Sequence, residues 1–286
     1  MKLFFTKMHG CGNDYLYINA IYQAINQPER LSRVLSDRRF GIGGDGIVLI
    51  YPSDIADAKM RIFNADGSEA KMCGNAIRCV ARFLLEQGIV SYNEMSIETL
   101  SGVKHLTLKK RGKRETSVRV DMGRYSLEPK EIPVLLPGNQ ICDYPLRIAG
   151  SIWPITCVSM GNPHCVTFCE KIDDLDLAVI GPEFEHNPLF PDRINTEFIE
   201  AVDDHTLRMR VWERGSGETW ACGTGACASV VAAVIKGIVP VNEPITVHLR
   251  GGDLCITVTE TTVYMEGEAK MVYHGEIDLQ EVGICD

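Results

Sequence analysis

The sequence lacks a hydrophobic run long enough to cross a membrane. Its most apolar helix-like stretch, residues 226–235, is far shorter than the roughly 20 residues that a membrane-spanning helix requires. The apolar run near the N-terminus, residues 3–5, is also too short for the hydrophobic region of a secretory signal. We therefore expect a soluble, cytoplasmic protein.

The chain has fewer basic than acidic residues. The 286 residues include 38 acidic and 29 basic side chains, so the surface should repel nucleic acid and anionic membranes, and we expect neither as a partner. The basic run at residues 109–114 lies where a hairpin turn is expected, and we interpret it as a solvated loop. With 45% apolar residues, the chain can form two compact domains.

No Cys-x-x-Cys pair occurs among the 11 cysteines, which argues against a zinc site. Without an export signal, the thiols are expected to stay reduced. Residues 41–46 match the Gly-x-Gly-x-x-Gly dinucleotide fingerprint, but they follow a helical pattern and precede a strand, the reverse of the required order. We interpret them as a turn, and we expect neither a metal nor a cofactor.

The chain contains an internal duplication at an offset of 149 residues. Residues 59–74 align without gaps with residues 208–223, and Met, Arg, Glu, Cys and Gly recur in both copies. The same offset relates the Gly-Asn pair at residues 12–13 to that at residues 161–162. We expect an α+β fold of two pseudo-symmetric domains, each a β-rich sheet or barrel around one central helix.

The junction between the halves is expected near residue 123. It precedes a Pro-rich stretch, residues 129–138, which cannot supply regular ladder hydrogen bonds throughout. We predict a first half at residues 1–122 and a second half at residues 123–271. The remaining segment, residues 272–286, has a strand pattern that is predicted to return to the first domain.

In each copy, a cysteine followed by glycine and a small polar residue precedes an apolar helical pattern. These triplets are Cys73-Gly74-Asn75 and Cys222-Gly223-Thr224. The free N–H groups of a helix N-terminus bind carboxylates, and the helix dipole lowers the pKa of an adjacent thiol. Two such sites facing each other would hold one α-amino acid between a thiolate base and a thiol acid. This chemistry needs no pyridoxal phosphate.

Most lone cysteines are core residues, and we expect this for Cys79 and Cys227, which fall inside the two helices. The repeated context favours a function for Cys73 and Cys222. Polar residues that suit substrate recognition cluster around the duplicated segments: Asn13, Asn64, Asn162, Asn195, Glu213 and Arg214. Arg214 could clamp a second carboxylate, and asparagine amides could hold a second ammonium group.

Five blocks of the chain together resemble the diaminopimelate epimerase family. They lie at residues 8–14 (MHGCGND), 63–68 (FNADGS), 72–75 (MCGN), 161–164 (GNPH), and 213–215 with 221–225 (ERG and ACGTG). The resemblance implies a pyridoxal-independent isomerase that converts LL-diaminopimelate to the meso form in lysine and peptidoglycan precursor synthesis. It also implies two pseudo-symmetric domains and a homodimer.

The resemblance also implies roles for individual residues. The catalytic thiols fall on Cys73 and Cys222, and the residues that modulate their pKa values fall on His164 and Glu213. The substrate contacts fall on Asn13, Asn64, Gly74, Asn75, Asn162, Asn195, Glu213, Arg214, Gly223 and Thr224. The chain departs from the family at Gly46, where many members have Gln, and at Ala76, where Gly is common.

Two alternatives remain open. One is a racemase or epimerase of another amino acid on the same scaffold, such as histidine, a proline-type substrate or lanthionine. Arg214 with three asparagines favours a substrate with a second charged end. The other, from a different class, is a thiol redox or metal-binding protein.

Overall fold

The computed structural model describes residues 2–110 and 116–284. The chain divides into two compact units, the first formed by Met1–Val120 with Gly267–Asp286 and the second by Asp121–Glu266. Residues 111–114 of the basic run lie outside the described residues, so the interpretation of this run as a solvated loop stays a prediction.

Strands predominate over helices in both units. The strands are β1 (Lys2–Gly10), β2 (Asn13–Asn19), β3 (Gly46–Tyr51), β4 (Ala58–Asn64), β5 (Glu69–Ala70), β6 (Glu94–Thr99), β7 (Gly102–Lys110), β8 (Thr116–Gly123), β9 (Tyr144–Ile148), β10 (Ser151–Ser159), β11 (Pro163–Phe168), β12 (Asn195–Asp203), β13 (Thr206–Glu213), β14 (Gly217–Thr219), β15 (Pro244–Leu249), β16 (Gly252–Val258), β17 (Val263–Glu268) and β18 (Lys270–Asp278). The α-helices are α1 (Pro28–Ser36), α2 (Gly74–Glu86), α3 (Leu177–Glu185) and α4 (Gly223–Ile235), and a short 3-10 helix covers Ile172–Asp174.

In the first unit, β18, β1 and β2 form an antiparallel ribbon. The sheet continues from β2, which pairs parallel with β3. Strand β3 pairs antiparallel with β4, and β4 makes a short parallel pairing with β6. Antiparallel β7 and β8 follow, and β5 pairs with β4. The buried side chains alternate along β6, as they do in a strand with one face against the core.

The second unit repeats this order. Antiparallel β9, β10 and β11 lead by a parallel pairing to β12, which pairs antiparallel with β13. A parallel pairing then joins β13 to β15, which is antiparallel to β16, while β14 pairs with β13. Strand β9 lies against β10 as the C-terminal strand β18 lies against β1.

The offset of 149 residues holds for whole elements. It relates both bounds of α1 to those of α3, and both bounds of α2 to those of α4. It also relates the strand registers, because Tyr15 lies opposite Gly46 in one unit and His164 lies opposite Asn195 in the other. The prediction of an α+β fold with duplicated, sheet-rich units, each with one principal helix, is confirmed.

The two principal helices, α2 and α4, begin after the same residue type and end at the same residue type. Each follows a cysteine with extended backbone, and each ends at a glycine in the left-handed region, Gly88 at φ 67° and Gly237 at φ 69°. At each of these helix ends, the backbone N–H groups of the glycine and of the residue after it donate to carbonyls of the last turn, as in a Schellman motif. Both helices are buried on almost every side, so the sheet of each unit packs around its own helix.

Candidate active site

The first unit places Cys73 at the N-cap of α2, with φ −136° and ψ 120°. Its Sγ lies 3.3 Å from Asn13 Oδ1. Asn13 in turn donates from Nδ2 to Asp45 Oδ2 at 2.7 Å, which directs its amide oxygen towards the sulfur. Because an amide oxygen only accepts, the Cys73 thiol is the donor in this contact.

The guanidinium of Arg78 lies behind the first turn of α2 and is fully buried. It donates to the Gly74 carbonyl at 3.1 Å, to Asn75 Oδ1 at 3.0 Å and to the Glu268 carbonyl at 3.3 Å. These bonds fix the direction of the first helical turn and of the Asn75 side chain. Arg78 was not among the residues predicted from the sequence, although an arginine at an otherwise apolar helical position was an available signal.

Gly46 has no room for a side chain. A Cβ at this position would lie 2.1 Å from the Phe63 carbonyl oxygen and 2.9 Å from the ring of Tyr15. The glutamine that many family members have here therefore has no counterpart in this backbone conformation. Asn64 lies opposite Gly46 in the β3–β4 ladder and donates to Ser68 Oγ at 3.1 Å.

The second unit places Cys222 at the N-cap of α4, where the side chain is only 5% exposed. Its Sγ accepts the Gly225 N–H at 3.4 Å and lies 3.6 Å from Thr224 Oγ1. Glu213 lies close enough to this sulfur to raise its pKa, and the Glu213 carboxylate accepts the hydroxyl of Thr219. A carboxyl group is therefore a neighbour of this sulfur.

A chain of side chains leads from Thr224 into the core of the second unit. Asn162 donates from Nδ2 to Thr224 Oγ1 at 3.2 Å, and Asn162 Oδ1 lies 3.0 Å from His164 Nε2. His164 Nδ1 lies 2.7 Å from Glu197 Oε1, and both of these side chains are fully buried. Glu197 was not among the residues predicted from the sequence, although an acidic residue within an otherwise apolar strand pattern was an available signal.

Asn195 is buried and directs its amide at the protein backbone. It donates to the Pro163 carbonyl at 2.9 Å and accepts the backbone N–H of Arg214 at 3.0 Å. The exposed guanidinium of Arg214 donates to the Asp192 carbonyl at 2.9 Å. Asn195 thus positions the segment that carries Arg214, and a direct contact of either residue with a substrate stays a prediction.

The electrostatics around Cys222 differ from the expectation for a helix start. Burial raises the pKa of the Cys222 thiol well above its ordinary range, and the carboxylates of Glu213 and Glu197 raise it further. The N–H of Gly225 acts in the opposite direction but is outweighed. Burial also raises the pKa of Glu213. The prediction that the helix start lowers the pKa of both thiols is therefore wrong for Cys222.

This pKa shift has a measurable consequence. Only the thiolate is alkylated, and forming it at Cys222 adds a negative charge beside Glu213 and Glu197. At any given pH the thiolate fraction is therefore smaller than in a free thiol, so we expect alkylation of Cys222 to begin at higher pH.

The measurement is iodoacetamide labelling of the native protein over a pH series, with the Cys222 peptide quantified by mass spectrometry and N-acetylcysteine in the same samples as reference. Midpoints are compared rather than rates, because burial slows the reagent at every pH. A Cys222 midpoint at or below that of N-acetylcysteine would contradict the expectation.

Within residues 2–110 and 116–284, no group of three or more His, Cys, Asp or Glu side chains has the arrangement of a metal site. No helix in the same part of the chain has the length and apolar character that a membrane crossing requires. The contacts described for the first unit join a thiol, an amide and a carboxylate, and those for the second unit join a thiol, a hydroxyl, an amide, an imidazole and carboxyl groups.

Sequence comparison identifies the family. The family model described as diaminopimelate epimerase matches residues 5–128 and 156–272. The chain belongs to this family. A curated diaminopimelate epimerase of Acetivibrio thermocellus is 51% identical over 280 residues, which cover 97% of this chain and 99% of the relative. One from Methanococcus maripaludis strain C5 is 50% identical over 277 residues, which cover 96% and 99%.

Solved structures of other proteins share the fold of this family member. A probable proline racemase from Agrobacterium radiobacter K84 has a TM-score of 0.72 at 16% identity, with 99% of this chain and 96% of that chain covered. A phenazine biosynthesis protein of the PhzF family from Bacillus anthracis has a TM-score of 0.69 at 16% identity, with 97% and 99% covered. At this identity the likeness concerns the fold alone.

Within each unit, the structure brings most of the predicted site residues together. The first unit groups those at the start of α2: Asn13, Cys73, Gly74 and Asn75. The second groups those at the start of α4: Asn162, His164, Glu213, Cys222, Gly223 and Thr224. Asn64, Asn195 and Arg214 make their contacts at strand ends and turns instead.

Proposed function

We propose that this chain catalyses the pyridoxal-independent epimerisation of LL-diaminopimelate to meso-diaminopimelate. The observation that carries the proposal is the nearly full-length identity of about half of all positions with curated enzymes of that name. We infer a place in lysine and peptidoglycan precursor biosynthesis, a cytoplasmic location, a homodimer and a reaction without a cofactor. The family resemblance supports these further inferences.

The proposed acid and base are the two cysteines at the helix starts. One of Cys73 and Cys222, as a thiolate, takes the α-proton. The C–H bond breaks, its electron pair stays on the substrate as a carbanion, and an S–H bond forms. The other thiol gives its proton to the opposite face of the α-carbon and keeps its electron pair. No electrons leave the system, and the two sulfurs end with exchanged protonation states, ready for the reverse reaction.

The carbanion needs electrostatic stabilisation, because the α-proton of an amino acid is a very weak acid. Backbone N–H groups at the starts of α2 and α4 are aligned by the helices, and they suit the α-carboxylate, where negative charge develops. The relevant residues are Gly74, Asn75, Gly223 and Thr224. In the second unit, Glu213 raises the pKa of Cys222, and His164 is linked to the sulfur through Asn162 and Thr224, which supports their proposed role in tuning this thiol.

The proposed substrate has a second amino-acid end. The planar guanidinium of Arg214 suits its distal carboxylate, and its exposure leaves this group open to a ligand. Asn64 offers an amide for the same end of the substrate, and Asn195 holds the backbone of Arg214. Because Gly46 has no side chain, the distal end depends on these residues.

The test uses the reduced, purified protein in D₂O with LL-diaminopimelate. We expect the meso isomer to form with one deuterium at the inverted α-carbon, since the proton donor is a thiol that exchanges with solvent. Proton NMR and chiral chromatography follow both changes in the same sample. Histidine, proline, hydroxyproline and lanthionine serve as alternative substrates. Turnover of one of these without turnover of LL-diaminopimelate would contradict the proposed substrate.

A further inference from the structure

Glu197 is a buried carboxyl group for which the proposed mechanism has no use. It is the third residue of β12, and its side chain and that of His164 both have 0% exposure. Burying an ionisable group is costly unless it has a partner. The strand itself needs only an apolar residue here, because Val48 occupies the equivalent place in β3 of the first unit and is buried.

Both nitrogens of the His164 ring are held by side-chain oxygens. Asn162 donates from Nδ2 to Thr224 Oγ1, so its amide oxygen is the atom that faces His164 Nε2 at 3.0 Å. On the other side of the ring, Nδ1 lies 2.7 Å from Glu197 Oε1. Glu197 and Asn162 together therefore fix the orientation of the ring.

From His164, two further contacts reach the sulfur. The ring fixes the Asn162 amide, Asn162 fixes the Thr224 hydroxyl at 3.2 Å, and that hydroxyl lies 3.6 Å from Cys222 Sγ. Loss of the Glu197 contact would free the ring to turn, and Nε2 would then no longer hold the Asn162 amide oxygen. The amide would turn over, and the hydroxyl beside Cys222 would meet an acceptor instead of a donor.

Glu197 also lies directly beneath the first turn of α4. A Cβ at Gly225 would lie 2.6 Å from Glu197 Oε1 and 3.2 Å from Cys222 Sγ, so only glycine leaves the carboxyl group this space. The first unit has Ala76 at the equivalent place and Val48 in place of the acid. The glycine and the glutamate are thus present together in one unit and absent together in the other.

We propose that Glu197 is a positioning residue, which acts through His164 to orient Asn162 and Thr224 and to hold Cys222 as the thiol that gives its proton to the substrate. This rests on the proposed function, because it assigns Glu197 a part in the same two-thiol reaction. The charged or titratable groups around the sulfur are Glu213, Glu197 and His164. The equivalent residues of the first unit, Asn64, Val48 and Tyr15, carry no carboxylate, so Cys222 differs from Cys73 in these surroundings.

The test substitutes Glu197→Gln, which preserves the size of the side chain and a hydrogen-bonding group opposite His164 Nδ1 but removes the charge. We expect the alkylation midpoint of Cys222 to fall by about 1 pH unit. We expect kcat to fall about tenfold to a hundredfold, with KM within about threefold, since proton transfer rather than binding is affected. The matched control is Glu200→Gln, which removes a carboxylate from the same strand that is paired with Arg208 and is expected to leave both readouts unchanged.

A double-mutant cycle tests whether Glu197 acts through His164. In a His164→Asn background, we expect Glu197→Gln to change kcat by less than about twofold. Full additivity of the two effects would overturn the relay. If Glu197→Gln does not fold, as judged by circular dichroism, Glu197→Asp replaces it, because the shorter side chain retains the charge but loses the 2.7 Å contact. Wild-type kcat in Glu197→Asp would overturn the proposal.

The alkylation readout needs no substrate, so it separates this inference from the proposed function. If the wild-type protein does not epimerise LL-diaminopimelate, the proposed function fails, while a lowered Cys222 midpoint in Glu197→Gln still supports control of the thiol by Glu197. If the wild-type protein is active and the Cys222 profile of Glu197→Gln coincides with that of the wild type, this inference alone is overturned.

Discussion

Replacement of Cys73 or of Cys222 by alanine is expected to lower kcat for meso-diaminopimelate formation by at least about 10³-fold. In the proposed mechanism each sulfur serves one face of the α-carbon, and alanine can neither take nor give a proton. Because the two sulfurs exchange roles when the reaction reverses, both directions should fail in each variant. The measurement is the initial rate of stereoisomer interconversion, followed by chiral chromatography.

The matched controls come from the same two helices. Cys79→Ala in α2 and Cys227→Ala in α4 remove fully buried thiols one to two turns from the catalytic positions. Burial raises the pKa of Cys79 to about 11, so this thiol is inert near neutral pH. We expect both controls to retain kcat within about threefold and to lose stability by about 1 kcal/mol, as small cavities in a core do. Wild-type turnover in Cys73→Ala or in Cys222→Ala would contradict the two-thiol mechanism.

An exchange experiment distinguishes a missing acid from a collapsed site. In D₂O, a variant with one remaining catalytic thiol can still take the α-proton from one stereoisomer and return deuterium to the same face. Cys73→Ala and Cys222→Ala should therefore exchange opposite stereoisomers without inversion. Exchange of the same stereoisomer by both variants would contradict the assignment of one sulfur to each face.

Arg214→Leu is expected to raise KM for LL-diaminopimelate about 30-fold to 100-fold, with a smaller effect on kcat. The guanidinium is proposed to bind the distal carboxylate, far from the reacting α-carbon, so its loss removes binding that is equal in the ground state and the transition state. Arg214→Lys should fall between the wild type and Arg214→Leu, because an ammonium retains the charge but not the fork of two parallel donors.

Arg193→Gln is the matched control for Arg214. Arg193 is an exposed arginine of the same unit, and its guanidinium pairs with Glu185 at 3.4 Å. We expect its KM to remain within about twofold of the wild type. A substrate analogue that lacks the distal carboxylate should react equally poorly with the wild type and with Arg214→Leu. An unchanged KM in Arg214→Leu would place the distal carboxylate elsewhere.

Much of the fold could be predicted because the two halves repeat short sequence patterns at the same spacing. The cysteine that ends an extended segment, the glycine that ends the helix and the apolar helix between them recur at the same spacing, and each feature has a local physical cause. The two Gly-Asn pairs and the strand patterns after them recur for the same reason. Side-chain contacts between segments far apart in the chain leave no such local pattern in the sequence.

The Glu197–His164 pair illustrates that limit. The two residues lie 33 positions apart on parallel strands, and parallel pairing requires a crossover that sequence periodicity does not describe. Arg78 is a second example, because its buried guanidinium bonds to the carbonyl of Glu268, 190 residues away. The sequence shows Glu197 and Arg78 as charged residues within apolar elements, but it does not show which residues they contact.

The sequence by itself determined the family, the duplicated α+β units and the two cysteines at helix starts, since these depend on identities and spacings along the chain. Only the tertiary structure decided the direction of the pKa shift of Cys222. A helix start alone would favour its thiolate, whereas burial and the carboxylates of Glu213 and Glu197 favour the thiol. The reason is that an interaction between charges depends on their distance and on the solvent around them, and folding determines both.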